Sequence, residues 1–500
     1  MSGKDNRIKR NVISGLVYQV VLIGINFLLP RLYLDNFGSE VNGVLSTIKD
    51  IFMYLTLLEA GVGLATMQAL YKPVAEKAQT DISSILSATN AYYTKTGVIY
   101  ALLVLVIAVA YSFFTPTEIP GGIIFTLILL NAFPALFSYF VQAKYRILME
   151  VDGRKYVITN AETMLQFFSS IGKLLVLFLT DSIVLIQLVY CVLALIQLGY
   201  LYVYARKRYS WLNLKSKPDF KAISQSKSVL VHQVSAMVFQ HTDMLLLSWM
   251  CGFKVVSVYN IYNLFFSQVQ MFITNIVSGF SFKLGQMFQV DREQFMKVFR
   301  VYETFYIMIT FIIYTLMAVF LLPVIQIYTK GITDVNYSNV ALVFLFVLMN
   351  LLSNGKLPSN HVLEYSGTFE ATRSHAVIEM IINIAVSVVA ILKWGICGAV
   401  FGTIAALMFR GTMMIYYANR KILGRSMFCT YRLWLENGAV FAGVMVLLFV
   451  DSFSGVSFVQ LVLNGLLHSV WIVGAYVLMN FIFEREAFRT LISLYRGKKA

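Results

Sequence analysis

Long apolar runs separated by short polar gaps fill the chain between residues 12 and 482. About fourteen of these runs are long enough to cross a hydrocarbon core of roughly 30 Å at about 1.5 Å per helical residue. They extend over roughly 12–34, 42–70, 89–114, 121–143, 157–179, 182–205, 229–250, 255–281, 300–328, 338–355, 372–392, 395–418, 434–450 and 456–482. In lipid, only helices and closed barrels satisfy their backbone polar groups, and runs of this length mean helices. The pattern predicts an all-α polytopic membrane protein of about 14 transmembrane helices.

The longest polar gap, about residues 206–228, is basic and contains Pro218. It separates two groups of six segments, which predicts an N-terminal lobe at 1–222, a C-terminal lobe at 223–420, and a helix pair with a tail at 421–500. Sliding the second group onto the first by 214 positions superimposes Gly38 on Gly252, Val41 on Val255 and Val44 on Val258. Such pseudo-symmetric halves are the usual architecture of alternating-access transporters, with the site between the repeats.

The polar positions within the spans are periodic too. Asn260, Asn263, Ser267, Gln270, Thr274 and Ser278 recur every three or four residues and share one helix face. The same offset places Ser46, Lys49 and Thr56 on a related face of the second segment. A hydrophilic face in lipid has to look inward. These rows are expected to line a central cavity, and the competing reading is glue between packed helices. His375, Glu379, Asn383 and Ser387 form another polar face at steps of four, and Gly398, Gly402, Ala406 and Arg410 form a small-residue face suited to close helix approach.

Charge then orients the chain. Most of the 40 Lys and Arg residues fall in or beside alternate gaps, including Lys4 to Arg10, Lys144 to Lys155, Arg206 to Lys227, Lys283 to Arg300, Arg420 to Arg432 and Arg485 to Lys499. The positive-inside rule predicts that these gaps and both termini are cytoplasmic, and an even number of crossings is consistent with that. The basic start followed by an apolar run resembles a signal peptide but lacks a small-residue cleavage pattern, so an uncleaved first helix is expected. Gaps on the opposite side are too short for a catalytic domain. The net charge of +15 is spread over many loops, which suits topology and anionic headgroups and argues against nucleic acid. The four cysteines lack metal-ligand spacing; neither a metal site, a disulfide framework nor a cofactor is expected.

Ionisable residues at bilayer depth are costly and require an inward-facing reason. Arg31, Lys49, Lys173 and Arg410 fit an electropositive cavity that attracts phosphate, or else buried ion pairing. The acidic set is Asp50, Glu59, Glu162, Asp243 and Glu379. Glu162 and Lys173 share a helix face at about 16 Å, too far to pair directly, while Asp50 and Glu59 point opposite ways. His232 and His241 are candidates for carrying protons, and equally for hydrogen-bonded core positions.

Several stretches resemble the polysaccharide transporter family of bacterial lipid-linked repeat-unit flippases, in the multidrug/oligosaccharidyl-lipid/polysaccharide exporter superfamily. They are Phe37-Gly38-Ser39-Glu40-Val41-Asn42-Gly43, Leu58-Glu59-Ala60-Gly61-Val62-Gly63, Leu70-Tyr71-Lys72-Pro73-Val74-Ala75-Glu76, Thr242-Asp243 with Val258-Tyr259-Asn260, and Gly395-Ile396-Cys397-Gly398-Ala399 with Gly402-Thr403. The resemblance implies two six-helix lobes, alternating access, and a non-enzymatic flippase in the bacterial cytoplasmic membrane. It implies an undecaprenyl-diphosphate-linked oligosaccharide substrate and a groove for the lipid tail formed by the last helix pair. It also implies service to surface polysaccharide assembly beside a polymerase and export machinery. Lys49, Lys173, Arg31 and Arg410 would then contact the diphosphate, while Ser46, Thr56, Asn260, Asn263, Ser267, Gln270 and Thr274 would contact sugar. The alternative on the same fold is a cation-coupled multidrug or metabolite exporter, with Asp243 or Glu59 binding the coupling ion.

Overall fold

The computed structural model describes residues 2–59, 62–223, 227–366, 368–448 and 457–496. Side chains are described from residue 24 onward, except at 64, 68, 227–233, 236, 274–283, 286, 289, 369–371, 458 and 494–496. The side chains of Thr274, Ser278 and His232 therefore lie outside the described set, as do Ala60 and Gly61 entirely. Helices make up 87% of the described residues, and no strand occurs among them. Ten of the described helical stretches are long and apolar enough to cross a membrane. The chain divides into two compact units, residues 1–257 and 258–500.

The first unit contains α1 (Ser2–Leu55), α2 (Val62–Glu76), α3 (Gln79–Phe114), α4 (Gly121–Val141), α5 (Ala143–Val151), α6 (Lys155–Leu179), α7 (Ile183–Arg208), α8 (Lys227–Met250) and the opening turn of α9 (Phe253–Val290). The gap expected at 35–41 is not a loop: α1 runs through it and turns sharply at Gly38, where φ is 77° and ψ −178°. Glycine enters this region without the Cβ clash that other residues meet. Helix α1 then packs along α4, α6 and α8.

The span expected at 42–70 departs from a single helix. It ends at Leu55, tightens into a 3₁₀ turn over Thr56–Leu58, and resumes at Val62 as α2. Irregular backbone at this depth is tolerated where it lines a cavity, and Glu59 sits at such a cavity. Side-chain hydrogen bonds hold neighbouring helices together, since lipid removes most of the hydrophobic drive for helix association. Thr66 and Thr89 join α2 to α3 at 3.0 Å, and the Ser87 hydroxyl donates to the Leu214 and Ser216 carbonyls after α7.

The second unit continues α9 and adds α10 (Arg292–Tyr328), α11 (Val340–Gly355), α12 (Leu357–Ser366), α13 (Phe369–Trp394), α14 (Ile396–Tyr416), α15 (Phe428–Leu447), α16 (Phe458–Phe483) and α17 (Arg485–Arg496). A π-helical stretch, Tyr417–Leu423, extends α14 beyond its expected end. The small-residue face of α14 allows the close approach expected of it. A Cβ added at Gly398 would fall 2.2 Å from the Ala390 carbonyl, and one at Gly402 2.1 Å from the Ser387 hydroxyl. The polar face of α13 serves that same contact: Asn383 donates to Thr403 at 2.9 Å, and Ser387 donates to the Ala399 carbonyl.

Candidate functional site

A cavity of about 490 Å³ lies within the first unit, walled by the second part of α1 together with α3 to α7. Helix α1 contributes Lys49, Phe52 and Met53, the 3₁₀ turn that follows it contributes Thr56, and Glu59 comes at the break. Helices α4 and α5 bring Asn131, Ser138, Tyr139 and Arg146, α6 brings Glu162 and Gln166, and α7 brings Tyr190 and Gln197. Gln142 joins them between α4 and α5.

The lining is positioned by its own contacts. Arg146 donates to Glu162 at 2.6 Å, bridging α5 and α6. Gln187 donates to the Asn131 side-chain oxygen at 2.9 Å, which fixes α4 on α7 and sets the orientation of that amide. The Lys173 ammonium stands 5.0 Å from the ring centre of Tyr190, itself a wall residue, within cation–π range. The wall thus combines cations, carboxylates, side-chain amides and aromatic faces. Such a mixture can offer ion pairing, hydrogen bonds and stacking to a polar group.

Of the residues expected at the site, Lys49, Thr56 and Glu59 come together here, with Lys173 just behind Tyr190. Ser46 is buried on α1 and donates to the Asn42 carbonyl, while Arg31 pairs with Asp35 at 2.8 Å. Asp243 is buried on α8. In the second unit, Ser267 is exposed, Asn260 and Asn263 are half-buried, and Gln270 accepts from Asn354 at 2.5 Å. Arg410 is 6% exposed and engaged: Glu379 lies between it, at 3.5 Å, and Lys356, at 3.2 Å. Its guanidinium also donates to the Thr372 carbonyl at 3.0 Å. Arg410 is thus ion-paired with Glu379 in a buried site.

The wall residues Asn131, Gln142, Arg146, Gln166 and Gln197 escaped the sequence reading. Their signal was present as isolated amides inside apolar runs, which in lipid need an inward partner. Arg146 was hidden by its place among the basic residues of the gap at 144–155.

A second concavity, in the second unit, encloses about 460 Å³ between α9, α10 and α16. Phe265, Leu316, Phe320, Val324, Leu461 and Gly465 are among its wall residues, and its surface is almost wholly apolar.

No protein family and no curated protein matches the chain by sequence. Solved structures do match it in fold. The lipid II flippase MurJ, in its inward closed conformation, superimposes with a TM-score of 0.67 at 14% identity, covering 96% of this chain and 99% of MurJ. A multidrug resistance MATE family transporter of the MOP superfamily in its inward-facing conformation gives 0.56 at 11% identity, covering 86% of this chain and 99% of its own. The outward-facing conformation of such a transporter gives 0.51 at 11% identity, over 84% and 96%. The chain is therefore a multi-pass, all-helical membrane protein with the fold seen in MurJ and the MATE transporters.

Proposed function

We propose that this protein is a flippase that moves undecaprenyl-diphosphate-linked oligosaccharide repeat units from the inner to the outer leaflet of the bacterial cytoplasmic membrane, by alternating access, for surface polysaccharide assembly. Both termini lie in the cytoplasm in this reading. The observation that carries it is the first-unit cavity, where Lys49 and Arg146 accompany amides and tyrosines among membrane-spanning helices. A diphosphate entering a low-dielectric site loses hydration, and basic groups there offset that loss. Amides and aromatic rings suit sugar, which offers hydroxyls at its edges and an apolar face. The polar row of α9, Asn260 to Gln270, contacts substrate in turn.

The apolar concavity of α9, α10 and α16 supports the lipid half of the reading. Its almost wholly apolar surface suits an isoprenoid chain, which needs no polar partner. The fold shared with a lipid II flippase is consistent with a lipid-carried substrate. Glu59 and Glu162 in the polar cavity favour the alternative, a cation-coupled multidrug or metabolite exporter.

The test is translocation of a labelled undecaprenyl-diphosphate sugar by the purified chain in proteoliposomes. Movement in the wild type, lost in Lys49→Ala, supports the flippase. Absence of movement together with efflux of a cationic dye would select the exporter.

A further inference from the structure

Arg146 and Glu162 are the one ion pair in the wall of the first-unit cavity among the described residues, reaching from α5 to α6 at 2.6 Å. A guanidinium carries five N–H donors in a planar fork. The contact with Glu162 is the only hydrogen bond of the Arg146 side chain among the described residues. That side chain is 45% exposed and lines the cavity, so most of the fork is unspent. The Arg146 backbone N–H donates to the Gln142 carbonyl at 3.0 Å, which sets Gln142 one turn earlier in the same wall. Gln142 is 2% exposed, and its side-chain nitrogen is buried without a hydrogen-bond partner among the described residues. Lys49, the other cation of the wall, is exposed and has no ion pair among the described residues. The wall therefore holds three donor groups with N–H bonds to spare, two of them cationic, and an anion is their complement.

We infer that Glu162 is an internal counter-anion: in the empty carrier it takes the place at Arg146 that a phosphate group of the substrate takes in the loaded one, with Gln142 as a further phosphate donor. The inference deepens the flippase reading and rests on it for the identity of the anion. A cation among membrane-spanning helices requires a compensating charge, and a carrier spends part of its cycle without substrate. Glu162 supplies that charge from the neighbouring helix. Carboxylate and phosphate both match the planar fork of arginine, so one replaces the other on the same donors. A phosphate beside Glu162 meets a like charge, and the carboxylate therefore weakens binding. That opposition favours release, since transport requires binding weak enough for the cargo to leave.

The other charged groups leave this role to Glu162. Glu59 lines the same cavity but makes no ion pair with Arg146, and Lys173 stands behind Tyr190. A purely structural bridge between α5 and α6 predicts the opposite response to loss of the charge. Glu162→Gln keeps the length of the side chain and an oxygen for Arg146 to donate to, so a bridge would be weakened or unchanged and the site with it.

Binding of inorganic pyrophosphate to the full-length protein in nanodiscs, followed by calorimetry, separates the two. Glu162→Gln is expected to bind it about tenfold more tightly than wild type, the size of one like charge removed from a partly hydrated site. Glu162→Asp, which keeps the charge, is expected to return the affinity to that of wild type. Gln142→Leu is expected to weaken binding about fivefold, and unchanged affinity there removes Gln142 from the site. Glu162→Ala is the second charge-free variant, and thermal unfolding identifies which of the two is folded. Equal or weaker pyrophosphate binding in every folded charge-free variant, or no binding by any of them, overturns the inference. Translocation of the labelled undecaprenyl-diphosphate sugar by Glu162→Gln is expected to saturate at lower substrate and at a lower maximal rate. A gain in pyrophosphate affinity with no sugar movement in the wild type sinks the flippase reading alone. Sugar movement in the wild type without that gain sinks the counter-anion alone.

Discussion

Gly38 and Gly252, 214 residues apart, both adopt positive φ, 77° and 85°. Gly38 makes the corner within α1, and Gly252 makes the corner between α8 and α9. The two coincide under the 214-residue offset read in the sequence. Close by, Asn42 donates to Ser257 at 2.8 Å, and Gly43 lies directly against the backbone of Phe253.

Substitutions at these glycines should separate strain from collision. Gly38→Ala places a side chain at positive φ and is expected to cost about 1–2 kcal/mol. Gly43→Ala puts a Cβ 1.8 Å from the Phe253 carbonyl oxygen, which forces α1 and α9 apart. It should cost more, at the upper end of the roughly 1–3 kcal/mol seen for overpacking or beyond. Thermal unfolding of the purified variants in detergent checks the order.

Glu379 neutralises two cations at once. Glu379→Gln leaves Lys356 and Arg410 facing each other in a buried site, and the expected loss is about 3–5 kcal/mol of stability. Arg410→Met should be milder, since Lys356 still answers Glu379. A melting series that placed Arg410→Met below Glu379→Gln would show that the arginine's role lies elsewhere.

The apolar concavity offers a test of the lipid tail. A Cβ at Gly465 meets nothing within 4 Å, and Gly465→Phe carries its ring toward the concavity that Gly465 lines. Stability should stay within about 0.5 kcal/mol. Translocation should fall about tenfold if the tail occupies that space, and unchanged translocation would put the tail elsewhere.

Architecture was legible in the sequence because hydropathy and lipid physics leave little choice: a long apolar run becomes a helix. The Gly38/Gly252 offset and the close face of Gly398 and Gly402 were legible for a similar reason, since small residues have few roles inside a membrane. The break at Glu59 was not, because an apolar run does not reveal where its helix loosens beside a cavity. The wall itself needed the fold. Arg146 and Glu162 meet across two helices, and Asp50 meets His241 across 191 positions. Such pairs leave no local trace. For Arg410, sequence offered two readings, a cavity cation and a structural ion pair; the contact with Glu379 decides what it touches.

The most direct test of the headgroup site is translocation of the labelled lipid-linked sugar by Lys49→Ala and Arg146→Ala, singly and together with Lys173→Ala, at matched protein level and matched melting temperature. The account predicts at least about a tenfold loss in each single variant, since a charge-assisted hydrogen bond contributes roughly 1.5–3 kcal/mol. Full activity in the triple variant would contradict it.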